Sequence, residues 1–202
     1  MNTNDMKRES RESGKSCRPQ GHLCQFSPFR AWMLDNGIRR FFQNPKRITG
    51  PYVKEGMTAI DIGSGAGMFT IPIAEMVGDS GKVIAVDVQQ EMLDLVAKKS
   101  EQRGMGSRIR IHRNGPDSIG LDEKADFVLS FYMLHEVPDR DTFLQEVCGL
   151  MKPGGKYLVV EPAFHLPESA FEDSVGRAER AGFRLAGNPK IFLSRAALFV
   201  RT

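Results

Sequence analysis

The chain has 202 residues, 28 Lys and Arg against 25 Asp and Glu, and a formal net charge of +3. That length suits one domain, or one domain with a tail, and so small a charge neither requires nor excludes an anionic partner. No apolar run is long enough to cross a membrane, the polar N-terminus lacks the apolar core of a secretory signal, and three cysteines do not make a disulfide framework, so a reducing cytoplasm is expected.

Residues 1–16 are polar and charge-mixed with no hydrophobic period, the pattern of a tail. Ser27-Pro28 has the form of an N-cap followed by proline at the first helical position. Phe29, Trp32, Met33, Ile38, Phe41 and Phe42 then predict one or two amphipathic helices, interrupted near Asn36-Gly37. Asn44-Pro45 either ends the second or begins a further turn. From Met57 onward, β-type runs appear at MTAIDI, KVIAVD, RIRIH, ADFVLS and KYLVVE. Helical patterns over 69–77, 90–103 and 141–150 lie between most of them, and 113–124 reads as loop. A last helix over 168–181 precedes two closing strands, FRLAG and AALFV. Strands alternating with helices predict a parallel sheet covered on both faces. The expected layout is a flexible tail over 1–25, a helical lid segment over 26–50 and a nucleotide-type binding domain over 51–202.

The segment AIDIGSGAGMFT turns a strand into a helix through Gly63, Gly65 and Gly67. A dinucleotide fingerprint needs G-x-G-x-x-G, but the position of its third glycine holds Met68. A pyrophosphate requires a close helix N-terminus; S-adenosylmethionine brings instead a sulfonium, an amino group and a carboxylate. Asp61, at the end of the first strand, suits the amino group, and the glycines admit the methionine part. Asp87, ending KVIAVD, can accept hydrogen bonds from ribose hydroxyls of either ligand class.

Four segments, DIGSGAG, VDVQQEML, ADFVLSFYMLHEVPD and LMKPGGKYLVVEP, together resemble the class I S-adenosylmethionine-dependent methyltransferases. The resemblance is to the small-molecule branch that includes the ubiquinone/menaquinone-biosynthesis type, and it runs from about Pro51 to the C-terminus. It implies an α/β fold with a seven-stranded, mostly parallel, doubly wound sheet whose last strand is antiparallel. It implies S-adenosyl-L-methionine as cofactor, and a cofactor set of Asp61, Gly63, Ser64, Gly65, Gly67, Asp87, Val88, Gln89, Asn114, Gly115 and Ser130. The family often carries an acid near the adenine after the third strand. Here that position falls on Gly115, so Asp117 is displaced from the role, or Asn114 takes it through its amide, or backbone amides do.

After the fourth strand the chain reads SFYMLHEV. It has neither the Pro-Pro-aromatic motif that amino-methyltransferases of nucleic acids resemble one another in, nor the Pro-Cys of the cytosine C5 enzymes. The absent motifs weigh against a nucleic-acid base as acceptor, the resemblance implies a small-molecule methyl acceptor, and no membrane partner is expected. Tyr132 and His135 are the catalytic candidates: His135 as a general base near its working pKa or as a packing residue, Tyr132 as a pocket wall. Cys17, His22 and Cys24 form C-x4-H-x-C, unlike the usual zinc spacings, and no metal is expected there unless that cluster supplies it. The sequence reads as a cytoplasmic methyltransferase. A protein or RNA methyltransferase and a catalytically silent binder of the methyl donor remain alternatives, and the acceptor and the oligomeric state are undetermined.

Overall fold

The protein is described here by a computed structural model covering residues 43–164 and 166–202. The predicted helices over 29–42 and the Cys17, His22, Cys24 cluster lie outside the described residues. Helix α1, Pro45–Thr49, begins where the side chain of Asn44 accepts the N–H of Arg47 and Pro45 occupies the first turn. Asn44-Pro45 thus opens a short helix. Thr49 is fully buried and donates its hydroxyl to Pro45 O at 2.8 Å. Lys46 pairs with Glu75 at 2.7 Å, so residues 43–50 pack against the body of the domain.

Strand β1 (Thr58–Ile62) leads into helix α2 (Thr70–Val77), β2 (Lys82–Asp87) into α3 (Gln90–Gln102), and β3 (Ile109–Arg113) through a loop into β4 (Ala125–Phe131). A 3₁₀ turn, Leu134–Glu136, and α4 (Arg140–Leu150) connect to β5 (Met151–Pro162), followed by α5 (Glu168–Arg180), β6 (Phe183–Gly187) and β7 (Ser194–Arg201). The strands form one seven-stranded sheet in the order β3-β2-β1-β4-β5-β7-β6. Pairing is parallel from β3 to β5, whereas β7 is antiparallel to both its neighbours. The expected doubly wound sheet with an antiparallel last strand is therefore the fold.

The central strands are buried on both faces, which is why they read as continuous apolar runs. Period-two alternation sorts them. Ala59, Val83, Ala85, Phe127 and Leu129 pack with Ile71, Ile73, Leu93 and Val96 of α2 and α3. Ile60, Ile62, Ile84, Val86 and Val128 pack with Leu144, Val147 and Phe171 of α4 and α5. Each of the larger side chains, Val, Ile, Leu and Phe, contributes about 1.5–3 kcal/mol by leaving water.

One element differs from its sequence pattern. The fifth strand begins at Met151, well before KYLVVE, because Met151 pairs with Ala125 and pairing resumes only at Lys156 opposite Phe127. The LMKPGG turn is absorbed as a bulge, with Gly154 at φ +76°. The strand order reverses between β1 and β4, leaving a crevice at their carboxyl ends, where ligands bind in open α/β sheets.

Candidate functional site

The turn from β1 to α2 is built from three glycines with positive φ, each for a different reason. Gly63 has φ +72°, and a Cβ there would stand 2.9 Å from Cβ and Cγ of Met133. Gly67 has φ +82°, and its Cβ would meet Val96 at 3.2 Å. Gly65, at φ +50°, has no atom within 4 Å of where a Cβ would be. The outer glycines are thus demanded by conformation and packing, and the middle one faces open space.

Two neighbours complete the cradle. Ser64 is 7 % exposed and its hydroxyl has no hydrogen-bond partner among the described residues, which is costly unless a ligand or water completes it. Asp87 is buried at the end of β2; one carboxylate oxygen accepts the N–H of Gly65 at 2.8 Å and the other that of Gln89 at 3.0 Å. Burial raises the Asp87 pKa, while the N–H groups of Gln89, Gly65 and Val88 pull it down. Val88 is exposed beside it, and Asn114 joins the rim by donating its N–H to Asp87 O at 3.2 Å. The side-chain amide of Asn114 donates to Gly115 O at 2.9 Å, and Gly115 and Asp117 are exposed.

Two sequence candidates turn inward. Asp61 is 2 % exposed and accepts the Thr70 hydroxyl at 2.6 Å, tying β1 to the first residue of α2. Its pKa is pushed up to about 6, chiefly by burial, against the Thr70 hydrogen bond and with a further rise from the charge of Asp87. Ser130 is fully buried and its hydroxyl accepts from Tyr157 at 3.0 Å. The Ser130 side chain therefore belongs to the core beneath the site, because residue 130 falls on the strand face turned toward Tyr157.

Beyond β4 the chain makes a tight reversal. Tyr132 adopts φ +59°, uncommon for a residue with a side chain, and its N–H donates to Val160 O at 2.7 Å. Its hydroxyl meets Ser194 Oγ at 2.7 Å and accepts from the Gln43 amide at 2.6 Å. The reversal places Met133 on Gly63 and sends His135 toward β5. There Glu161, 1 % exposed, accepts the Leu134 N–H at 2.9 Å with one oxygen and the His135 Nδ1–H with the other. The hydrogen bond to Glu161 raises the His135 pKa, burial opposes it, the charges of Glu161 and Glu136 add to the rise, and that of Arg140 subtracts.

Sequence reasoning missed Glu161, Met133 and Gln43. Glu161 had a signal: like Asp61 and Asp87 it is an acid at the carboxyl end of an apolar strand. Met133 and Gln43 had none, since their roles come from packing across the fold. Among the described residues no group of three or more His, Cys, Asp or Glu is placed to hold a metal ion.

The family model described as "Methyltransferase domain" matches residues 53–181. The chain belongs to the methyltransferase-domain family. A demethylmenaquinone methyltransferase of Lactobacillus johnsonii is 37 % identical over 144 residues, covering 69 % of this chain and 56 % of that protein. A ubiquinone/menaquinone biosynthesis C-methyltransferase of Shewanella oneidensis is 30 % identical over 131 residues, covering 64 % and 51 %. This methyltransferase domain thus spans about half the length of the curated relatives it matches. A solved SAM-dependent methyltransferase from Aquifex aeolicus superposes with a TM-score of 0.78 at 25 % identity, covering 88 % of this chain and all of that one.

Proposed function

We propose that this methyltransferase domain binds S-adenosylmethionine in the β1–α2 turn and passes its methyl group to a small-molecule acceptor in the cytoplasm. The observation that carries the reading is the cradle itself: an unpartnered buried Ser64 hydroxyl beside Gly65, whose Cβ position opens into space. The group fits these residues. Ser64 would supply a hydrogen bond, Gly65 a close approach to backbone, and Asp87, Val88 and Gln89 the ribose-side edge, with Asn114 and Gly115 on the rim. Asp61 would act by its field on a cationic ligand rather than by contact, since its carboxylate is buried and bonded to Thr70.

When bound, S-adenosylmethionine supplies an electrophilic methyl on a positively charged sulfur. The chain's share is to place and shield. Two acids close to the turn, both with pKa raised by burial, favour a cation near them. Much of the rate gain can come from holding donor and acceptor in line, an effect with a ceiling of roughly 7–11 kcal/mol. The Gln43 side chain is bonded to Tyr132, Phe192 O and Ser194, and a cover formed by the segment over 26–50 would exclude water from the transfer. Relatives named for demethylmenaquinone and for ubiquinone/menaquinone biosynthesis support a small-molecule acceptor.

The test is a thermal-shift comparison of S-adenosylhomocysteine with NAD, followed by incubation of the chain with methyl-labelled donor and acceptor pools of quinols, other metabolites, tRNA and protein. Stabilisation by S-adenosylhomocysteine alone and label in a small molecule are expected. Equal response to NAD, or label only in macromolecules, refutes the reading.

A further inference from the structure

Resting on the S-adenosylmethionine reading of the site, we infer that Glu146 and His112 are positioning residues for the donor: together they clamp the loop after β3, so that its backbone selects adenine as the base of the bound nucleoside. The loop begins at the sheet. Strand β3 ends beside β2, with His112 opposite Val86 and Arg113 opposite Asp87. The next residue, Asn114, donates its N–H to Asp87 O at 3.2 Å. The loop therefore leaves the sheet at the acid read as the ribose contact. With a ribose at Asp87, the base attached to it falls against residues 114–118.

Most of that stretch has no packing to hold it, since Gly115, Pro116, Asp117 and Ser118 are all exposed. What fixes the loop is Ile119 at its far end. The Ile119 side chain is 2 % exposed and joins Ile62, Val86, Leu134 and Leu144 in the core on the α4 side of the sheet. Both of its backbone groups are taken by side chains. The half-buried Glu146 of α4 accepts the Ile119 N–H at 2.6 Å, and His112 Nε2 lies 2.7 Å from Ile119 O. A carbonyl only accepts, so His112 Nε2 carries the proton of that bond. Just beyond, the Gly120 N–H donates to Ser118 Oγ at 3.1 Å, and Gly120 turns the chain away at φ +67°. The loop is thus a closed arch, pinned to β2 at Asn114 and to β3 and α4 at Ile119.

An arch pinned at both ends changes what a ligand meets. A loop already ordered in its bound form spares the ligand the entropy of ordering it, and backbone groups at fixed positions can tell one base edge from another. Adenine presents an acceptor at N1 and a donor at its amino group. Hypoxanthine, of nearly the same shape, presents a donor at N1 and an acceptor at its oxygen. Shape does not separate the two; fixed hydrogen-bonding groups do. The Asn114 amide donates to Gly115 O at 2.9 Å and so stays within the arch. Selection then falls to the backbone groups of Gly115 and Asp117, which are only as fixed as the clamp makes them.

Isothermal calorimetry on the full chain, with S-adenosylhomocysteine and S-inosylhomocysteine as ligands, decides it. Wild type should bind the adenine ligand about tenfold or more tightly than the hypoxanthine one. Glu146→Leu leaves the Ile119 N–H without its acceptor. It should weaken S-adenosylhomocysteine by about tenfold and shrink the preference between the two ligands to less than about threefold. His112→Phe removes the donor to Ile119 O and should act in the same direction. Glu146→Gln keeps an acceptor oxygen and should restore most of both quantities; a Gln variant as impaired as the Leu one overturns the hydrogen-bond clamp. A wild type that binds both ligands alike, or variants that weaken both by one factor or neither, overturns the selection of adenine through the clamp and leaves the donor reading standing. Where circular dichroism shows one of the Leu and Phe variants unfolded, the other decides; if both are unfolded, the contacts serve the fold and the inference falls. A wild-type chain that binds neither ligand sinks this inference and the donor reading together.

Discussion

Asp87 at the end of β2 accepts the N–H of Gly65 in the turn after β1 at 2.8 Å, so the strand-end acid and the glycine turn are one unit. The second oxygen holds the Gln89 N–H and begins α3. An acid there shapes the loop whether or not a ligand is bound.

Asp87→Ala accordingly removes the carboxylate that accepts two backbone N–H groups, as well as a candidate ribose contact. S-adenosylhomocysteine binding should weaken by about 1.5–3 kcal/mol, the range for charge-assisted hydrogen bonds. Asp87→Asn keeps one acceptor oxygen and should lose less. Isothermal calorimetry with both variants checks this; unchanged affinity in Asp87→Ala removes Asp87 from the site.

The glycines of the turn should fail differently. A Cβ at Gly65 meets no protein atom within 4 Å, but Gly65→Val places a β-branched residue at φ +50° and fills the cradle. It should stay folded and lose cofactor binding. Gly63→Ala drives a Cβ to 2.9 Å from Met133 and should instead lower stability, by roughly 1–3 kcal/mol. Trimming the neighbour in Gly63→Ala/Met133→Ala should recover part of that loss. Chemical denaturation and ligand titration on the three variants separate the two roles; a Gly65→Val protein that binds normally refutes the cradle.

Asp61 predicts a pH signature. Its pKa in the folded protein is pushed up to about 6 from an ordinary 3.8, so the folded state holds a proton that the unfolded state has released. The associated stability is complete below pH 4 and is lost as pH rises through 6, by on the order of 3 kcal/mol. Asp61→Asn has no charge to bury, so relative to wild type it should gain stability between pH 4.5 and 8. Wild type should bind S-adenosylmethionine more tightly as Asp61 ionises, and the same variant should lack that rise. Urea unfolding and calorimetry at the two pH values test both; a wild type and variant with parallel pH profiles would show that Asp61 is not the titrating group.

The fold was legible because each strand is a run with its own turn chemistry, and because the glycine turn, the strand-end acids and the β4 and β5 segments occur in the order of one sheet. What sequence could not supply was direction. Asp61 and Asp87 look alike as strand-end acids, yet strand register buries one against Thr70 and turns the other toward the loop. Ser130 and Glu161 share one face of the sheet, Ser130 lying opposite Val159, and only the folded partners show that the serine meets Tyr157 and the acid meets His135. The glycines were read as ligand contacts, whereas Met133 and Val96, distant in sequence, require two of them.

Gln43 offers the last test, on the chain that precedes it. It is 5 % exposed, and its amide reaches Tyr132 Oη, Phe192 O and Ser194 Oγ at 2.6, 3.2 and 3.4 Å. Tyr132 meanwhile holds an unfavourable φ of +59°, kept by its N–H to Val160. Removing Gln43 leaves the Tyr132–Ser194 bond in place and strips one anchor from the mouth. Gln43→Ala should cost about 1–2 kcal/mol of stability and, if the preceding segment is the proposed cover, should lower acceptor kcat/KM more than it weakens S-adenosylhomocysteine binding. Deletion of residues 1–16 should change neither quantity, whereas deletion through Gln43 should abolish turnover while cofactor binding survives wherever circular dichroism shows the fold intact. If the long deletion methylates its acceptor at the wild-type rate, the preceding chain is no cover, and acceptor choice lies in the segments after β4 and β5.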